Sequence, residues 1–224
     1  MGIVGRLSQD MISLMSQNAR ELASIEGNIL SSAREKEIRT MYVTSCKAKE
    51  GKTVSAISMA YTLSNKTNFK VLLIEGNLYY PKLSESFNVN NSYGFSDLIA
   101  SDMDLNDVLV KTEHDNLSLI THGSQKSHTL DVVRLNAFFC NRFNAVKQKF
   151  NYVIFDGCSV FGFSDVPIIA RHFDGILFVV ECEQTKWEMF QQAKEKVELA
   201  GGHILGAVMN KRKHYIPKML YGKI

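Results

Sequence analysis

Met41-Tyr42-Val43-Thr44-Ser45-Cys46-Lys47-Ala48-Lys49-Glu50-Gly51-Lys52-Thr53-Val54 is the stretch on which the reading of this 224-residue chain turns. Met41–Ser45 is a short β-prone run, Lys47–Thr53 a lysine-rich loop, and Val54–Leu63 a helical pattern, so the order is strand, loop, helix. A loop in that place aims backbone N–H groups and the amino end of the helix at an anion. Lys52 would add a point charge for phosphate and Thr53 a hydroxyl for Mg2+. The pattern G-x-x-x-x-G-K-[ST] is incomplete, because Gly51 is the loop's single glycine and Ser45 or Cys46 stands where the first is expected. A lysine-rich surface turn has the same composition, but it does not account for Gly51-Lys52-Thr53 falling at a strand-to-helix junction. The expectation is a nucleotide loop formed by Lys47, Ala48, Lys49, Glu50, Gly51, Lys52, Thr53 and Val54, with ATP and Mg2+ as cofactors.

The runs on either side of this loop fix the fold class. Val71-Leu72-Leu73-Ile74 is apolar without alternation, as a strand covered on both faces requires. Similar runs are Leu117–Ile120, Tyr152–Phe155, Gly175–Val180 and His203–Met209, and helical patterns over Val133–Phe150 and Lys186–Ala200 separate the later ones. Alternating strands and helices predict an α/β chain with a doubly wound, mostly parallel sheet flanked by helices. Two strands end in acids, Glu75 and Asp156. At the carboxyl edge of a parallel sheet such acids face the ligand crevice. Lys52, Glu75 and Asp156 are the candidate catalytic residues. Thr53, Asp156 and Glu75 are the candidate metal ligands, with Asp156 in the layout of a Walker B acid and Glu75 able to orient a water or accept a proton.

Ahead of the first strand, Met11, Leu14, Met15, Leu22, Ile25 and Ile29 recur mostly at helical intervals. Residues 1–38 therefore read as a helical arm, packed on its own domain or on another subunit, and 39–224 as the nucleotide-binding domain. With 26 Lys and Arg against 23 Asp and Glu, the formal charge of +3 gives no reason to expect a nucleic-acid partner. The four cysteines and six histidines lack metal-ligand spacing. Neither a signal peptide nor the roughly 18 apolar residues of a membrane span is visible, so a cytoplasmic location is expected.

Assembled, these residues resemble the bacterial tyrosine autokinases of capsule and exopolysaccharide synthesis, relatives of the MinD/ParA ATPases. The likeness runs from about Met41 to Lys211. It includes Glu75-Gly76-Asn77-Leu78-Tyr79-Tyr80-Pro81 in place of the family's Asp-x-Asp-Leu-Arg-Arg-Pro, and Gly94-Phe95-Ser96-Asp97-Leu98-Ile99, Asp174–Val180 and Leu205–Lys211. The resemblance implies ATP-dependent autophosphorylation that regulates polysaccharide polymerisation and export. It also implies a membrane-embedded chain-length regulator as partner, location at the inner membrane through it, a possible homo-oligomer, and Asn210 near the adenine. Tyr215 and Tyr221 are the remaining acceptor candidates in a reduced carboxyl-terminal tyrosine cluster. Glu75 is one methylene longer than the family's aspartate, Asn77 is neutral, and the association motif Glu-x-x-Arg-x-x-Arg is not visible around Arg20–Glu26. Two other readings follow: a catalytically weakened nucleotide-binding regulator, and a MinD/ParA-type dimerising ATPase in which Lys47 reaches a partner's phosphates.

Overall fold

The computed structural model describes residues 4–17, 38–66, 69–90, 92–123, 132–163 and 166–212. The arm positions Leu22, Ile25 and Ile29, and Tyr215 and Tyr221, lie outside the described residues. The strands are β1 Val4–Gly5, β2 Thr40–Ser45, β3 Val71–Glu75, β4 Val110–Thr112, β5 Leu117–Ile120, β6 Tyr152–Ser159, β7 Gly175–Glu181 and β8 Ile204–Asn210. The helices are α1 Gln9–Gln17, α2 Lys52–Lys66, α3 Leu83–Ser86, α4 Phe95–Ala100, α5 Leu105–Val108, α6 Val132–Asn141, α7 Phe143–Lys149, α8 Val166–Ala170 and α9 Trp187–Leu199.

Among the described residues the strands form one sheet in the order β1-β4-β5-β3-β6-β2-β7-β8. All neighbours pair in parallel except β4 and β5, which form an antiparallel hairpin. The continuous apolar runs become strands buried on both sides, and period-2 geometry sorts their side chains between two cores. Met41, Val43, Val71, Leu73, Ile154, Leu177 and Val179 face the layer holding α1 and α2. Tyr42, Leu72, Ile74, Val153, Phe155, Ile176 and Phe178 face the layer holding α4, α6, α7, α8 and α9. Complete burial of one such side chain stabilises by about 1.5–3 kcal/mol, so the central strands anchor whatever their ends carry.

Helix α2 buries Ala56, Ile57, Ala60 and Leu63 on one face, at the spacing of a single helical stripe. In the arm, Leu7 and Met11 enter the same core while Ile12 and Leu14 stay exposed, and β1 adds a short strand beside β4. The helix expected over Val133–Phe150 is two, α6 and α7, divided at Arg142. There the guanidinium donates to the carbonyls of Leu98 and Ser101, at 2.8 and 2.9 Å, and to that of Met103. Strand β2 lies between β6 and β7, which places the β2–α2 loop at mid-sheet, where crossovers run to both sides. Such switch points open the crevice of doubly wound sheets.

Candidate functional site

The β2–α2 loop is shaped by contacts from outside it as much as by its own residues. Gly51 has φ of 104°, a left-handed conformation that side chains resist, and a Cβ there would come within 1.9 Å of Asn210 Nδ2. Lys49 is also left-handed, with φ of 66°. Glu50 is buried, and its carboxylate accepts the Lys47 N–H at 2.8 Å and the Thr185 hydroxyl. Asn210 Nδ2 donates to the Glu50 carbonyl at 2.8 Å. Lys211 Nζ donates to the Lys49 carbonyl at 2.8 Å and pairs with Glu181 at 3.0 Å. Lys47 Nζ donates to the Gln184 carbonyl of its own chain at 3.3 Å. Ala48 and Lys49 are exposed, whereas Val54 packs against the α2-side core.

At the first turn of α2, Lys52 is 6% exposed, and its Nζ donates to Ser45 Oγ at 3.0 Å. Burial lowers its pKa, with the neighbouring Asp156 carboxylate opposing the shift. The Thr53 hydroxyl donates to Asp156 Oδ2 at 2.7 Å. Asp156 Oδ1 is buried with no hydrogen-bond partner among the described residues. Burial pushes the Asp156 carboxyl up to about 7, against the pull of the Thr53 hydrogen bond and of Lys52, while Glu75 adds to the rise. A buried carboxylate oxygen left without a donor is a site that a cation satisfies. Mg2+ keeps several waters and takes few protein ligands besides phosphate oxygens, so the Thr53 hydroxyl and Asp156 fit it.

Glu75 pairs in register with Asp156 on β6, so the two acids stand side by side on adjacent strands. Its carboxylate is fully buried and engaged by backbone donors. Oε1 accepts the N–H groups of Lys82 and Leu83, the second at 2.6 Å, and Oε2 accepts that of His122 at 2.8 Å. Burial raises its pKa, and those three hydrogen bonds oppose the rise. Glu75 thus ties the end of β3 to the amino end of α3 and to the segment after β5. Asn77 accepts the Tyr80 N–H at 3.2 Å, and Tyr79 stacks on Phe163 with centroids 3.9 Å apart. Cys46 is buried, which pushes its thiol up to about 11 and leaves little thiolate for chemistry.

The structure therefore brings Lys52, Thr53 and Asp156 into one cluster with Glu75 beside it, and sets Asn210 against the loop backbone. Sequence reasoning missed Ser45 as the acceptor for Lys52, Thr185 as a partner of Glu50, and Lys211 as a donor to the loop. An acid inside an otherwise basic loop was the available signal that Glu50 serves the backbone.

Comparison with known proteins points the same way. The putative tyrosine-protein kinase CapB of Staphylococcus aureus is 26% identical over 193 residues, spanning 86% of this chain and 84% of that protein. Among solved structures, the chimerical protein CapA2B2 superposes with a TM-score of 0.81 at 22% identity, covering 96% of both chains. The septum site-determining protein MinD of Pyrococcus horikoshii OT3, complexed with Mg-ADP, superposes with a TM-score of 0.64 at 19% identity, covering 81% of this chain and 74% of that one. The likeness to the tyrosine kinases and to MinD that the sequence carries is thus met in sequence and in fold. The family described as AAA domain (AAA_31) matches residues 38–202, a span that holds the loop, both acids and every central strand, and the chain belongs to it.

Proposed function

We propose that the protein is an ATP-binding, tyrosine-autokinase-like regulator of capsule or exopolysaccharide polymerisation and export. The observation that carries this reading is the convergence of Lys52, Thr53 and Asp156 at one sheet edge, with a buried Asp156 oxygen lacking a donor. Lys52 binds the β- and γ-phosphates, and its buried ammonium is worth more against phosphate than it would be in water. The Thr53 hydroxyl and Asp156 hold Mg2+, which when bound neutralises charge on the phosphate oxygens. The relative named a putative tyrosine-protein kinase and the neighbour complexed with Mg-ADP support the reading. In it the partner is the cytoplasmic segment of a membrane-embedded chain-length regulator, the protein sits at the inner membrane through that partner, and Tyr215 and Tyr221 accept phosphate. Among the described residues no helix is long and apolar enough to cross a membrane.

One observation favours a second reading. Phosphoryl transfer depends on positioned charge, and Glu75 is engaged by three N–H donors while Asn77 carries no charge. A protein that binds nucleotide and signals by its bound state, with little turnover, fits that arrangement. Incubation with Mg-ATP and the regulator's cytoplasmic segment, followed by assay of ADP and phosphotyrosine in one sample, separates the two. Phosphate on Tyr215 or Tyr221 is expected of a kinase, whereas bound nucleotide without either product leaves only the regulator.

A further inference from the structure

Two of the loop's residues, Lys49 and Gly51, adopt left-handed φ, and only the second is a glycine. That conformation costs a non-glycine residue about 1 kcal/mol or more, so something outside the loop must hold it. The holding groups come from the carboxyl end of β8 and its next residue: Asn210 Nδ2 on the Glu50 carbonyl and Lys211 Nζ on the Lys49 carbonyl, both at 2.8 Å. Lys211 is itself left-handed, with φ of 55°, and is steadied by Glu181 at 3.0 Å. In a planar trans peptide the C=O and the following N–H point in opposite directions. Fixing the Lys49 carbonyl toward Lys211 therefore turns the Glu50 N–H to the other side, and fixing the Glu50 carbonyl toward Asn210 does the same for the Gly51 N–H. Consecutive N–H groups turned to one side by residues of alternating hand make an anion-binding nest.

We infer that Asn210 and Lys211 are positioning residues that hold the N–H groups of Glu50 and Gly51 as a nest for the phosphates of a nucleotide. In a loop with one glycine the end of β8 supplies the constraint that local sequence does not. This rests on the nucleotide reading above, and it places the action of Asn210 at the phosphates instead of the base.

The test measures dissociation constants for Mg-ADP, Mg-GDP and pyrophosphate with wild type, Asn210→Leu, Lys211→Met, Lys211→Arg and the surface control Lys194→Ala. Lys211 has a side chain 46% exposed, so its variants retain the fold even if Asn210→Leu does not, and thermal melts verify this. Each of Asn210→Leu and Lys211→Met is expected to weaken all three ligands by the same factor, roughly tenfold for one lost hydrogen bond to a strained loop. The ADP to GDP ratio stays fixed, Lys211→Arg recovers most of the affinity, and Lys194→Ala changes nothing. Unchanged affinities in folded Lys211→Met, or an Asn210→Leu effect confined to the ADP to GDP ratio, overturns the inference. If wild type binds pyrophosphate and loses it in Lys211→Met but ignores both nucleotides, the nest stands and the nucleotide reading falls.

Discussion

Replacing Asp156 by Asn should stabilise the nucleotide-free protein at alkaline pH and not at acid pH. Burial raises the carboxyl from an ordinary 3.8 to about 7. Because the folded value lies above the unfolded one, the neutral carboxyl costs nothing below pH 3.8, and stability is lost as pH rises through about 7. Integrated between the two states, the burden is about 4 kcal/mol at pH 8 and about 2 kcal/mol at pH 5. Asn keeps the hydrogen bond from the Thr53 hydroxyl but buries an Nδ2 where Oδ1 had no donor, at about 1–3 kcal/mol independent of pH. The net gain is then about 2 kcal/mol at pH 8 and about zero at pH 5. Whatever the amide costs, the difference between the two pH values remains about 2–3 kcal/mol, or roughly 5–10 °C in Tm for a domain of this size. Calorimetric melts of both proteins at pH 5, 6, 7 and 8 read it directly. A gain that does not change with pH, or a variant less stable at every pH, refutes the view of Asp156 as a buried, uncompensated acid. The same variant should lose the stabilisation that Mg-ADP confers on the wild type.

Gly51→Ala forces a Cβ to within 1.9 Å of Asn210 Nδ2 at φ of 104°, so nucleotide affinity should fall by more than tenfold while the sheet core, read by near-UV circular dichroism, persists. Glu75→Asp withdraws the carboxylate from the N–H groups of Lys82, Leu83 and His122. A loss of about 2–4 kcal/mol in urea unfolding is expected, against no change if the acid is free to serve as a base. Phe155→Ala empties the centre of an aromatic cluster in which it meets Tyr42, Phe95, Phe139 and Phe173. It should cost about 3–5 kcal/mol by the same measurement, and a cost below about 1 kcal/mol would contradict the packing.

Much of this architecture is legible in the sequence because the signals are local. Val71–Ile74, Tyr152–Phe155 and Gly175–Val180 are runs that only doubly covered strands tolerate, and β3, β6 and β7 lie there. Strands β1 and β4 escape such reading, since Val4–Gly5 has no run and Val110–Thr112 alternates over three residues. Lys52, Thr53 and Asp156 are readable for the same reason, each standing at or beside the end of a recognisable strand. Glu75 shows the limit. Its position at the end of β3 is plain from the sequence, but the donors that engage its carboxylate come from residues 82, 83 and 122, which the chain path alone brings there. The bond from Asn210 to Glu50 spans 160 positions, and no local pattern announces it.

The account stands on an anion seated between the end of β2 and the amino end of α2. Calorimetric titration of ADP into the protein, with and without Mg2+ and alongside Lys52→Ala, tests that most directly. Saturable, Mg2+-strengthened binding at one site that disappears in Lys52→Ala is the result predicted. No binding at millimolar nucleotide, or equal affinity in Lys52→Ala, would contradict it.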